Sequence, residues 1–295
     1  MSWALILPAV AAIALGMGGG LVQRRLRPQA AVPILTSLAV LVSLAAAGAV
    51  AILAIAYLAQ VPWLAERVGW CRSLARSHDA VPQLLGLTAC LSLVVMVAAS
   101  AGKLVRRRRM VTSLAHDGPL EVLPTEQAVA FAVPGRPGHI VVSSGMLLLL
   151  NAEERRVLFA HEGSHLRHRH HRYLQLADLA ATAVPVLRPL CAQVRFATER
   201  WADEDAAAAV GDRRLVAHTI ARAALGTSPR PGSVALSLAG LGVAARVEEL
   251  LAEPVSSPVM ETTLAAAVLA LVATMVSSTV QLHHVLSFVA HVCRL

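Results

Sequence analysis

His161-Glu162-Gly163-Ser164-His165 gathers two imidazoles and a carboxylate within five residues. On an α-helix, residues four apart share one face, so His161 and His165 can reach a single zinc ion together. Glu162 is then placed to act as general base on a water at that metal. The chemistry indicated is metal-assisted hydrolysis of a peptide bond. Such a motif works only on a helix, and its surroundings supply one. Asn151 followed by Glu154 three positions on is the pattern of a capping box. Val157, Leu158, His161, His165 and Leu166 then recur at helical spacing.

A catalytic zinc takes three protein ligands and leaves one position for water. C-terminal to the motif the candidates for the third ligand are Glu199, Asp178, Glu204 and Asp205. Glu199 is preferred because Glu199 and Asp203 stand four apart on a helix expected over 192–210. Glu199 can bind the metal while Asp203 accepts a hydrogen bond from a ligating histidine. His218, on a later helix, is a candidate for steadying a developing oxyanion. His168, His170 and His171 interleave with Arg167, Arg169 and Arg172. They read as the basic end of a helix, favoured by its dipole and facing phosphate headgroups.

The elements around this site must live partly in lipid. Hydrophobic residues make up 56% of the 295, charged residues only 15%, and the mean hydropathy is +0.63, outside the range of most soluble domains. No charged residue occurs in 1–23, 28–65, 80–102 or 262–290. Each tract can supply the roughly 20 apolar residues that cross a bilayer core. Four transmembrane helices are therefore expected, near 3–22, 33–58, 82–104 and 262–281. The first lacks a basic leader and is followed by Arg24, Arg25 and Arg27, the pattern of a retained span and not of a cleaved signal.

The net charge of +8 belongs mostly to membrane edges: Arg24, Arg25 and Arg27, then Lys103 and Arg106 to Arg109. By the positive-inside rule those edges are cytoplasmic, which places the N-terminus outside and the segment from about 103 to 261 inside. No aromatic interleaving accompanies the basic runs, so direct nucleic-acid binding is not expected. Cys71 and Cys293 fall on the outer side, where pairing is chemically allowed; two unrelated thiols are expected. Cys90 and Cys191 have no neighbours at metal-ligand spacing.

Three regions follow: membrane helices in 1–105, a soluble unit in 106–258, and a final span with a short outer tail in 259–295. The soluble unit opens with strand-like runs at 120–123, 128–133 and 139–142, then a short helix near 146–150 and the motif helix over about 152–170. An amphipathic stretch at 173–187 stops at prolines. Helices are expected over 192–210, 212–225 and 233–252. The fold class is α+β, mostly helical, with the hydrolase unit inserted between spans three and four.

His161 to His165 followed by Arg195-Phe-Ala-Thr-Glu199-Arg-Trp-Ala-Asp203 resembles the paired signatures of integral-membrane gluzincin proteases, which include the HtpX-type and CAAX-prenyl proteases. Three spans, an inner protease unit and one more span resemble the BlaR/MecR family of antirepressor metalloproteases. That resemblance implies zinc at His161, His165 and Glu199, catalysis by Glu162, and cleavage of a cytoplasmic transcriptional repressor in response to a signal. The sequence ends at Leu295, so the penicillin-binding sensor of the named relatives is expected to be lacking. Two other readings compete. One is an HtpX-like quality-control protease for misfolded membrane proteins. The other is a non-proteolytic membrane transducer or transporter with a structural metal, in which Glu162 would have no task.

Overall fold

The computed structural model describes residues 26–61, 63, 81–114, 118–135, 138–227, 234–252 and a few positions between 258 and 269. The expected first span, nearly all of the fourth, most of the 59–81 loop, and Cys71 and Cys293 lie outside the described residues.

Helix α1 spans Pro28–Leu58 and α2 spans Gln83–Ser113; both are long and apolar enough to cross a membrane. α1 begins at Pro28 and carries Pro33 inside it, five residues before the expected start. Pro28 occupies the first turn, where a missing N–H costs nothing. Pro33 should disturb the next turn, but burial of Leu26, Val32 and Leu35 holds that turn in place. α2 runs nine residues past the expected end at 104, because nothing in Val105–Ser113 breaks a helix. The boundary drawn at 105/106 thus falls inside a continuous helix.

Strands β1 (Leu120–Leu123), β2 (Ala130–Val133) and β3 (His139–Ser143) form one sheet in the order β1-β3-β2. β1 lies parallel to β3 and β2 antiparallel to it, so β2 is an edge. Ser143 donates its N–H to the Val129 carbonyl at 2.8 Å. Backbone groups alternate in such a pair, so Ala130 and Ala132 turn theirs away from β3.

Ser143 then caps α3 (Ser144–Leu149) by accepting the Met146 N–H at 3.0 Å. Gly145 in α3 lies against the backbone carbonyl of Glu126, leaving no room for a Cβ. Gly145→Ala is expected to destabilise the fold by about 1–3 kcal/mol, the usual cost of overpacking. A thermal midpoint equal to wild type would show that this corner gives way freely.

The motif helix α4 covers Ala152–Arg167. Its capping box is present: Glu154 N–H reaches Asn151 Oδ1 at 2.9 Å and Asn151 N–H reaches Glu154 Oε2 at 2.8 Å. Arg169, in the left-handed region at φ 53°, reverses the chain into α5 (His170–Ala183). A 3-10 turn at Pro185–Leu187 leads to α6 (Arg188–Val210), which ends on Gly211 at φ 75°, a conformation glycine adopts without strain. α7 (Arg213–Thr227) and α8 (Val234–Leu251) complete the described elements.

Three cores hold these elements together. The α5–α6 hairpin packs on α1 through Leu35, Ala39, Leu187, Leu190 and Val194, with Cys191 buried among them. Cys191 Sγ sits 2.8 Å from the Ala177 carbonyl, which makes it a core thiol. Val157 of α4 meets Ala206 of α6, Val216 of α7 and Leu250 of α8 in the second core. Leu158 joins α4 to Val142 and Met146 on the sheet side in the third. The second and third cores flank α4, fixing which face of it looks outward.

Candidate metal centre

His161 and His165 leave α4 on one face, and Glu199 arrives from α6. Their ligand atoms all lie within 4.8 Å of one another. His161 Nε2 is 3.2 Å from His165 Nε2, and Glu199 oxygens stand 3.5 Å and 3.8 Å from the two nitrogens. Ligands at about 2.1 Å on a tetrahedral zinc are separated by roughly 3.4 Å. The two imidazole nitrogens and the Glu199 carboxylate, with Oε2 nearer His161 and Oε1 nearer His165, stand close to those separations, so the donor set fits zinc in chemistry and in approximate spacing.

Each ligand is oriented from behind. His161 Nδ1 lies 3.0 Å from Asp203 Oδ1, so the Nδ1–H donates to that carboxylate and Nε2 faces Glu199. Asp203 is 1% exposed and receives two bonds from Arg246 of α8, Nε to Oδ2 at 2.7 Å and a terminal nitrogen to Oδ1 at 2.6 Å. The other Arg246 nitrogen is 3.1 Å from Glu199 Oε2, tying the ligand carboxylate to the same guanidinium. His165 Nδ1 faces His170 Nδ1 at 3.0 Å. For His165 to present Nε2 to a metal, its Nδ1–H donates and His170 accepts. Burial and the neighbouring His165 push His170 down to about 3, so it stays neutral and able to accept.

The electrostatics of the metal-free site follow from this packing. Burial disfavours charge on His161, but hydrogen bonds to Asp203 and Glu199 overcome that and raise it to about 10. Burial lowers His165 to about 4. Burial works against Glu199 and Asp203 too, yet the His161 and Arg246 contacts hold both carboxyls below the usual range. Metal and proton therefore compete for His161 Nε2. Zinc added to the metal-free protein at neutral pH is expected to release about one proton, and its apparent affinity to rise about tenfold per pH unit up to about 10. Chelator competition across pH measures this, and a flat profile would exclude the competition. Since the folded pKa lies above the ordinary 6.5, the protonated pair stabilises the metal-free fold below that value. That stabilisation is lost as pH rises through about 10.

Glu162 is 8% exposed and lies between the histidines and the sheet. Burial raises its pKa, Glu199 raises it further, and His161 with a hydrogen bond from the Ala132 N–H works the other way. That bond comes from the outward edge of β2. A cleft of about 670 Å³ opens here, lined by Ala130, Met146, Glu162, Ile220, Ala223 and Arg246 among others.

The other candidates are placed elsewhere. Asp178 is held by Arg195 at 2.7 and 2.8 Å, and Glu204 pairs with Arg213. Asp205 accepts from Ser164 at 2.7 Å and meets His168 at 2.8 Å and Arg167 at 3.2 Å. His218 does not face the histidine pair. Its exposed ring meets Glu154 at 3.2 Å, at the far end of α4, where Glu154 also takes Arg222. The basic helix end expected at His168–His171 is also different: His170 is fully buried against His165, and the His171 carbonyl accepts from Arg107 at 2.8 Å.

Residues 108–230, from within α2 to just past α7, match the model for Peptidase family M48. Over those residues the chain is similar to that peptidase family. No curated protein and no solved structure matches the chain. The matched segment contains His161, Glu162, His165, Glu199 and Asp203, whereas Arg246 lies beyond it.

Proposed function

We propose that this chain is a membrane-bound zinc endopeptidase that cuts a flexible segment of a cytoplasmic protein, a DNA-binding repressor in a signalling response. The observation that carries the hydrolytic reading is the convergence of the His161, His165 and Glu199 donor atoms, all within 4.8 Å of one another, beside a buried Glu162. His161, His165 and Glu199 would hold the ion. Zinc bound there would polarise a peptide carbonyl and make water a nucleophile near neutral pH.

The chain's own groups do the rest. Glu162 takes a proton from the attacking water and passes it to the leaving amine, a task its raised pKa suits. Asp203 keeps the His161 ring turned so that Nε2 faces the site. His170 does the same for His165. The free edge of β2 offers Ala130 main-chain groups to an extended substrate, which would add to the sheet as a further strand. Small apolar residues along the cleft accept side chains without demanding charge. That last feature favours a second reading, an HtpX-like quality-control protease acting on many misfolded membrane proteins.

Comparing cellular proteomes with wild-type and Glu162→Gln protein tests both. Fragments of one DNA-binding protein, absent in the variant, support the repressor reading. Many cleaved membrane proteins support the second. Identical fragment sets with both proteins would end the endopeptidase assignment. A closed site with four protein ligands would favour the non-proteolytic reading instead.

A further inference from the structure

Away from the metal centre, a cavity of about 480 Å³ opens between α2, α5 and α6. Lys103 reaches it from α2, and Arg188 and Arg195 from α6. Among the described residues the one acid on its wall, Asp178, is already bound by Arg195 at 2.7 and 2.8 Å. Its backbone carbonyl takes Thr182 Oγ1 at 2.6 Å and lies 3.4 Å from Lys103 Nζ. Among the described residues three cations face one carboxylate, which leaves two positive charges without an acid in that part of the wall. Ala99, Ala181 and Ala192 supply a small apolar side.

The height of this cavity identifies its occupant. Lys103 is the first charged residue after the uncharged tract of α2 that begins at Gln83. Those 20 residues rise about 30 Å, the thickness of a bilayer core, which brings Lys103 to the headgroup level. α5 climbs beside α2 from there. Arg107 meets His171, Lys103 meets Asp178, and Ala99 borders the same cavity as Thr182. The α5–α6 turn therefore reaches above Lys103, towards the apolar part of α2. Val186 in that turn is 44% exposed, and Val94, Val95 and Val97 of α2 are more than half exposed, the surface lipid tails would cover.

We propose that this cavity binds the phosphate of an anionic phospholipid, with Lys103 and Arg188 on the phosphate oxygens and the alanine side against the glycerol carbons. The assignment does not depend on the peptidase chemistry; it rests on α2 crossing the bilayer. The shared chemistry is a phosphate oxyanion, and lipid is favoured over free phosphate by the exposed apolar side chains around the opening. Basic pockets at the cytoplasmic ends of membrane helices are suited to such headgroups.

Alkaline carbonate extraction of membranes containing the full chain comes first. Release of the chain would refute the membrane crossing, whereas retention leaves the cavity to be judged by itself. The purified full chain in uncharged detergent, offered equal phosphatidylglycerol and phosphatidylcholine, is then examined by native mass spectrometry. Wild type and an Arg214→Gln control, altered at an exposed arginine of α7, should retain phosphatidylglycerol preferentially. In Lys103→Gln/Arg188→Gln that preference should fall about tenfold, with an unchanged circular-dichroism melting curve as proof of folding. Arg188→Gln alone, at an exposed helix start, serves if the double variant does not fold, and should show a smaller fall. An unchanged preference in the variants overturns the proposal. Displacement of the lipid by millimolar inorganic phosphate reassigns the cavity to free phosphate and overturns the lipid assignment.

Discussion

Glu162→Gln protein is expected to bind zinc at near wild-type affinity and to lose peptide hydrolysis by on the order of 10^3-fold. The glutamine amide fills the same space and its oxygen can still accept the Ala132 N–H. It cannot take a proton from water at any working pH. Glu162 is not one of the three donors at ligand spacing, so the ion's coordination should not change. Zinc content by elemental analysis and cleavage of an unfolded protein substrate check the two halves separately. Full zinc occupancy with an undiminished rate would remove Glu162 from the mechanism. Loss of zinc together with activity would instead make it a structural residue.

The second large effect is expected at Arg246. Its guanidinium makes two bonds to the buried Asp203 and one contact to Glu199 at 3.1 Å. Arg246→Ala leaves Asp203 buried without that pairing, a defect that costs about 3–5 kcal/mol in comparable buried pairs. The metal-free protein should then melt roughly 10 °C lower. Zinc should bind about 10–100-fold more weakly, because Glu199 and the Asp203–His161 pair lose their fixed geometry. Arg246→Lys restores charge without the paired hydrogen bonds and should fall between the two. A melting temperature within a degree or two of wild type would show that Asp203 finds another partner. A stability loss without weaker zinc binding would make Arg246 a fold residue alone.

What the sequence made legible was whatever a local pattern encodes. The motif helix was readable because Asn151 and Glu154 announce its start and Val157, Leu158 and His161 keep its period. Glu199 and Asp203 were readable as a pair because four residues along a helix is a short-range relation. The strand at Ala130–Val133 was readable because the apolar 128–133 run stops at Pro134 and Gly135, whereas its place at the sheet edge depends on pairing with β3. Arg246 was not foreseen, since 43 residues separate it from Asp203 and no local rule joins them. A signal did exist: one arginine in the apolar stretch Val234–Val247 must find a carboxylate if that helix is buried. His170 was misplaced because its neighbours are arginines. The left-handed Arg169 redirects the chain so that His170 turns inward while the arginines stay at the surface. His218 was assigned on residue type alone, and the packing of α7 against the start of α4 gives it to Glu154. The early start of α1 depends on its burial against α5 and α6, which no pattern within α1 records.

The account stands on one ion held between α4 and α6. X-ray absorption at the zinc edge, on the purified full chain loaded with one equivalent, tests this most directly. The expected spectrum shows two imidazole nitrogens and a carboxylate oxygen at about 2.0–2.1 Å with a further light atom from solvent, and Glu199→Gln should alter the oxygen shell alone. A sulfur ligand, a third imidazole, or a first shell unchanged by Glu199→Gln would contradict it.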